Sequence, residues 1–211
     1  MLPYTLYTLS RFSIERAVIV DTDYPERLYR SLSSLHHLTV IRGDFADASI
    51  ASQVGQVDVL FFFDALLHQA NPDWDSVLRQ YATHATCVIV YNQQYVKDGM
   101  SVRLTALPLE EYTHLTSDRR VEFYHQVYAH RTEIHPRHRK PWIDIYNIAQ
   151  WGITDADLRA TMQTLGFSEV YYQNYGRFLN LPAFENHGFV FKRQILKPGN
   201  QSGRNVSGRR G

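Results

Sequence analysis

Apolar and polar positions along this chain alternate between short continuous apolar runs and longer stretches with helical spacing. Leu6, Leu9 and Phe12 recur at helical spacing over residues 4–12, and residues 17–20 then form the run AVIV, which closes on Asp21. A continuous β-branched run of this kind is what a strand buried on both faces of a parallel sheet requires. Pro25 is placed to start a helix in which Leu28, Leu32 and Leu35 share a face, and LTVIRGDF, residues 38–45, holds a second strand over 38–42 that ends in Gly43 and Asp44. VDVLFFF, residues 57–63, makes a third strand that runs into Asp64. Residues 72–81 bring Trp74, Val77, Leu78 and Tyr81 onto one helical side, and CVIVY, residues 87–91, is a fourth strand. Helices crossing between apolar strands predict a doubly wound, mainly parallel α/β sheet.

The pattern changes beyond residue 91. Residues 92–152 carry no comparably clear strand and concentrate His125, His130, His135, His138, Trp142 and Trp151 among charged residues. A segment this long is predicted to be a partly helical insertion that covers a site. A helix follows, with Thr154 as its cap, Asp155 and Asp157 in its first turn and Gly166 at its close. Two strands, 168–176 and 186–193, are separated by a turn-rich stretch containing Pro182 and predict a terminal antiparallel pair. Residues 194–211 lose apolar periodicity and become small and basic, the composition of a disordered tail. The expected organisation is one α/β domain over residues 1–193 followed by that tail.

Composition narrows the function classes. With 44% apolar residues in a chain of 211, one sizeable core can be buried. Lys plus Arg number 22 against 21 acids, and a net charge of +1 provides no overall field to attract nucleic acid or an anionic membrane. No run approaches the roughly 18 apolar residues of a membrane span, and the start shows neither a basic leader nor a small-residue cleavage site. A cytoplasmic protein is expected. Cys87, inside an apolar run, reads as a buried structural thiol, and a lone cysteine forms no disulfide within one chain. The pattern does not bear on oligomeric state.

The order of elements resembles the class I S-adenosylmethionine-dependent methyltransferases over about residues 4–193. The stretches LLHQANPDW, VIVYNQQYV, DIYNIAQWGITDADL and PAFENHGFVF look like those of a bacterial branch of these enzymes. The resemblance implies a Rossmann-like fold with S-adenosylmethionine as cofactor. It also implies cofactor-binding roles for Asp21 at the ribose, for Asp44 and Phe45 beside the adenine, and for Asp64 after the third strand. His68, whose imidazole titrates near neutral pH, is the candidate for proton removal. Trp74, Asn92, Gln93, Gln150 and Trp151 would suit the edge of a small polar or saccharide-like acceptor, since aromatics provide flat surfaces and amides fix orientation.

One departure stands against the resemblance. The family's first strand and glycine-rich loop belong before residues 4–12, yet the first glycine is Gly43. The sequence is therefore expected to lack that strand, so a non-catalytic remnant or binding module of the same fold is an alternative. A nicotinamide-dependent reductase is a third; its glycine loop is equally missing, and no Tyr-x-x-x-Lys pair follows the fourth strand. In HRTEIHPRHRK, His135 and His138 lack further ligands for a four-ligand metal set, and the neighbouring Arg and Lys repel a cation. No metal site is expected there. The stretch reads as a solvated basic loop able to attract an anionic acceptor, such as a carboxylated or phosphorylated sugar.

Overall fold

The apolar runs become strands in a computed structural model, which describes residues 7, 8, 10–22, 26, 30, 32, 35–116, 120–146 and 148–194. The expectations attached to Leu6, Leu9, Pro25, Leu28 and residues 195–211 lie outside the described residues. In chain order the elements are β1 (Ala17–Asp21), β2 (Leu38–Arg42), α1 (Ala48–Val54), β3 (Val57–Phe63), α2 (Trp74–Ala82), β4 (Ala85–Tyr95) and β5 (Val102–Arg103). They continue with α3 (Leu109–Leu115), α4 (Val121–Ala129), β6 (Trp151–Gly152), α5 (Asp155–Thr164), β7 (Phe167–Arg177) and β8 (Phe184–Arg193). Short 3-10 turns lie at Leu66–His68, Leu104–Ala106 and Trp142–Asp144.

The four expected parallel strands form, as two separate pairs. β1 runs parallel to β2 in the register Ala17↔Leu38 to Asp21↔Arg42, and β3 runs parallel to β4. β8 then pairs antiparallel with β4, and β7 with β8, so the larger sheet has the order β3-β4-β8-β7. The terminal antiparallel pair therefore occupies one edge, as the alternation predicted. Arg16, one residue before β1, donates to the carbonyls of Val54 (3.0 Å) and Gln56 (2.9 Å), just before β3. β1 and β3 thus start side by side and run the same way, yet among the described residues β1 pairs only with β2 and β3 only with β4.

One face of the larger sheet carries the core. Phe62, Val88, Val90, Phe189 and Phe191 are buried against Val77 and Leu78 of α2 and Leu158 and Met162 of α5. Trp74, Val77, Leu78 and Tyr81 all turn inward, as their spacing predicted. At the start of α5 the Thr154 side chain accepts from the Asp157 amide, and Gly166 after its end takes φ +81°, a conformation open to a residue without Cβ. On the opposite sheet face Phe61 is 43% and Tyr175 59% exposed. A row of ring contacts crosses it, Phe61–Phe63 at 5.7 Å, Phe63–Tyr91 at 6.4 Å and Tyr91–Tyr175 at 5.8 Å. Gly188 makes room for this row, since a Cβ there would lie 3.0 Å from the Tyr175 ring.

The fourth strand differs from expectation. It continues four residues past Tyr91, because the register with β8 runs on to Tyr95↔Phe184 and buries the amides of Asn92, Gln93 and Gln94. Those polar side chains end the apolar run in the sequence without ending the strand. The insertion that follows is helical, as expected, and has a second core around Leu104, Tyr112, Val127, Ile145 and Ile148. Leu32 is buried, whereas Leu35 and Phe12 are exposed at the ends of their segments. Among the described residues no helix is long and apolar enough to cross a membrane.

Candidate functional site

The carboxyl ends of β1, β2 and β3 converge on a cavity of about 140 Å³, lined by Val20, Asp21, Thr22, Asp44, Phe45, Ala65, His68, Gln69 and Tyr146. Open α/β sheets bind ligands at such ends, where neighbouring connections diverge and leave a crevice. Gly43 helps shape the turn after β2, because a Cβ there would lie 2.6 Å from Ile50 Cδ1. Asp44 then folds back on the chain: its Oδ1 accepts from the Ala46 amide at 3.0 Å, and its Oδ2 from Lys140 Nζ at 2.7 Å. Phe45 is held from both sides. Its carbonyl accepts from the Tyr81 hydroxyl at 2.9 Å, and its ring meets Phe62 at 6.3 Å.

His68 stands where the chain turns after β3, in a 3-10 turn whose leucines, Leu66 and Leu67, are buried. Its Nδ1 lies 2.8 Å from the Ile148 carbonyl, which only accepts, so this nitrogen carries the hydrogen and Nε2 keeps its lone pair. Burial depresses the imidazole below its ordinary value of 6.5, against the opposing effect of the Ile148 hydrogen bond. The ring is therefore a neutral base at pH 7. Gln69, beside it, is 5% exposed and lines the cavity, with no side-chain hydrogen bond to a described residue.

The cavity wall brings together Asp21, Asp44, Phe45 and His68 of the expected site residues. Asp64 stands just behind it, in the left-handed region at φ 47°, with Oδ1 accepting from Gln93 Nε2 at 2.6 Å. Burial pushes its carboxyl up from the usual carboxylate range. The residues expected at an acceptor edge are placed differently. Trp74 is buried in the core beneath the sheet, and Asn92 is 1% exposed in β4. Gln150 is fully buried; it donates to the Ile143 and Ile145 carbonyls at 2.9 Å each and accepts from Thr105 at 3.1 Å. Trp151 packs against the main core with the Arg103 guanidinium 5.4 Å from its ring. None of these five side chains lines the cavity. Gln69 and Tyr146 line the cavity and Lys140 holds Asp44 at its wall, beyond the residues expected from the sequence. Gln69 adjoins His68 in sequence, so its position was a usable signal; Tyr146 and Lys140 arrive from an insertion whose folding back is invisible to local patterning.

No protein-family model matches the chain, and no curated protein matches it in sequence. Its fold is nonetheless that of the class I S-adenosylmethionine-dependent methyltransferases. The structure superposes on the N-terminal domain of EvdMO1 with SAH bound at a TM-score of 0.52 and 11% identity, covering 90% of this chain and 69% of that one. It is similar at the same TM-score and 12% identity to the Burkholderia thailandensis 1,6-didemethyltoxoflavin-N1-methyltransferase with bound 1,6-didemethyltoxoflavin and S-adenosylhomocysteine, over 90% of this chain and 66% of that one. LepI in complex with SAM aligns with 92% of this chain at 8% identity and a TM-score of 0.48, and the chain spans 39% of its length.

Proposed function

We propose that the chain is an S-adenosylmethionine-dependent methyltransferase module for a small polar or saccharide-like acceptor. The observation that carries this reading is the convergence of Asp21, Asp44, Phe45 and His68 on one cavity at the carboxyl ends of three parallel strands. The nucleoside half of the cofactor fits the residues present. Asp21 can accept from a ribose hydroxyl, the Asp44–Phe45 turn offers a carboxylate and a flat ring beside an adenine, and Gln69 brings a buried amide with unused hydrogen-bonding capacity. For the methionine half the described residues supply no glycine-rich turn on the cavity wall. The cofactor would supply an electrophilic methyl group. His68 Nε2 would take up the proton that an acceptor hydroxyl gives up, and the largely apolar wall around it would exclude competing water.

A second reading concerns residues 1–211 taken alone. Among the described residues the facing edges of β1 and β3 are not paired with each other and offer room for a further parallel strand. In this reading the described residues form a binding module that engages the nucleoside alone, and full affinity needs that strand and its turn. Calorimetry with S-adenosylmethionine separates the two. We expect a dissociation constant of about 100 µM or weaker for residues 1–211, the range left to a few hydrogen bonds and one ring contact. Low-micromolar binding would show that the residues present complete the site by themselves.

A further inference from the structure

The insertion sends a hairpin back to the cavity mouth. Ile134 bridges to Pro141, the His135 amide donates to the Lys140 carbonyl at 2.8 Å, and the Trp142 amide donates to the Glu133 carbonyl at 2.9 Å. Its tip is shaped by His135, whose Nδ1 accepts from the amides of both Arg137 and His138 at 3.2 Å. A ring nitrogen that accepts carries no hydrogen, so the ring hydrogen of this imidazole sits on Nε2. His135 therefore serves as the scaffold of the turn, and the charges stand outside it.

Five rings form a continuous chain of tilted and edge-on contacts through this hairpin. Tyr146, on the cavity wall, meets His138 at 5.0 Å; His138 meets His135 at 4.6 Å; His135 meets Trp142 at 4.2 Å; Trp142 meets His130 at 5.7 Å. Alongside these rings in the chain stand Arg131, Arg137, Arg139 and Lys140, with Glu133 as the only acid between His130 and Trp142. Arg131, Arg137 and Arg139 are exposed. Lys140 turns inward to Asp44, and Glu133 is engaged by His130 at 3.1 Å. A chain with a net charge of +1 thus concentrates positive charge at one side of its candidate site.

We propose that this hairpin is the acceptor-recognition element of the same site, and that the acceptor carries an oxyanion, a phosphate or carboxylate on a small polar molecule. The role of acceptor rests on the methyltransferase reading; the oxyanion site itself does not. Guanidinium forks match the geometry of phosphate and carboxylate oxygens and bind them more strongly than neutral donors do. The Trp142 and Tyr146 rings offer faces against which a sugar or planar ring can lie while its charged group meets the arginines. Tyr146, at the cavity end of the ring chain, directs such a molecule toward His68, which shares the cavity wall with it.

The test is titration of the full chain, without cofactor, with D-glucose 6-phosphate, D-glucuronate and D-glucose, followed by NMR of the arginine side chains and the backbone of residues 131–142. At least one anionic sugar is expected to bind about tenfold tighter than glucose, with shifts centred on Arg137 and Arg139, and to weaken as salt rises. The exposed double variant Arg137→Gln/Arg139→Gln should abolish that preference and leave the fold intact. Equal affinity for the three sugars, or an anion preference that survives in the double variant, overturns the proposal. Because no cofactor is present, failure here leaves the methyltransferase reading standing, and a parallel titration with S-adenosylhomocysteine tests that reading by itself.

Discussion

At the scale of single residues, the candidate site is set by which polar groups are already engaged. If Asp21 accepts from a ribose hydroxyl, Asp21→Ala should weaken S-adenosylhomocysteine binding by about 1–3 kcal/mol, the usual cost of losing a charged hydrogen-bond partner, as read by NMR titration. An unchanged affinity would move that contact elsewhere. His68 and Asp64 give opposite pH signatures. Burial depresses the His68 imidazole, so its neutral form belongs to the folded state. The stability it contributes is complete above its unfolded value of 6.5 and is lost as pH falls through the folded one. In urea titrations His68→Gln should lose less stability than wild type on acidification from about pH 7 to about pH 5. Asp64 is raised by burial, so the folded state holds its proton longer and stability declines as pH rises from 3.8 through the folded value. Asn can keep the Gln93 hydrogen bond and tolerates the left-handed backbone at this position, so Asp64→Asn should gain on wild type at neutral pH.

At the scale of elements, the strands and α2 were legible because burial on both faces of a strand, or on one face of a helix, forces a local pattern. Residues 17–21, 38–42 and 57–63 appear as β1, β2 and β3 with the expected bounds. β4 was only partly legible. Asn92, Gln93 and Gln94 are polar and would normally end a strand, but pairing with β8 from a hundred residues away carries them into the interior. The same reason hid the role of Gln150. An amide in a charged insertion looks like surface, whereas here it ties the insertion's 3-10 turns together through Ile143, Ile145 and Thr105. Gln150→Ala should cost about 3 kcal/mol in urea denaturation, since it leaves buried carbonyls without donors. A loss below about 0.5 kcal/mol, typical of a surface position, would show that the clamp is not closed. Of the site, the strand-end residues Asp21, Asp44 and Phe45 could be located from chain order, while Tyr146 and Lys140 depend on a long-range fold of the insertion that leaves no periodic trace.

At the scale of the whole molecule, the order β2-β1, then β3-β4-β8-β7, divides one α/β fold along the line between β1 and β3. In β1 the Ala17 amide donates toward β2, at His37, and alternation along a parallel strand then turns the Val18 and Val20 amides toward β3. Hydrogen exchange should show Val18 and Val20 unprotected next to a protected Ile19; equal protection at all three would mean that the two edges are joined. The cavity lies at the carboxyl end of this same line, where we propose that the described residues hold the nucleoside half of an S-adenosylmethionine site. The most direct measurement is an NMR titration of residues 1–211 with S-adenosylhomocysteine. Saturable shifts are expected at Thr22, Asp44, Phe45, His68 and Gln69 with a dissociation constant of about 100 µM or weaker. Saturation accompanied by shifts elsewhere in the sheet, or silence at these residues at millimolar ligand, would contradict that proposal.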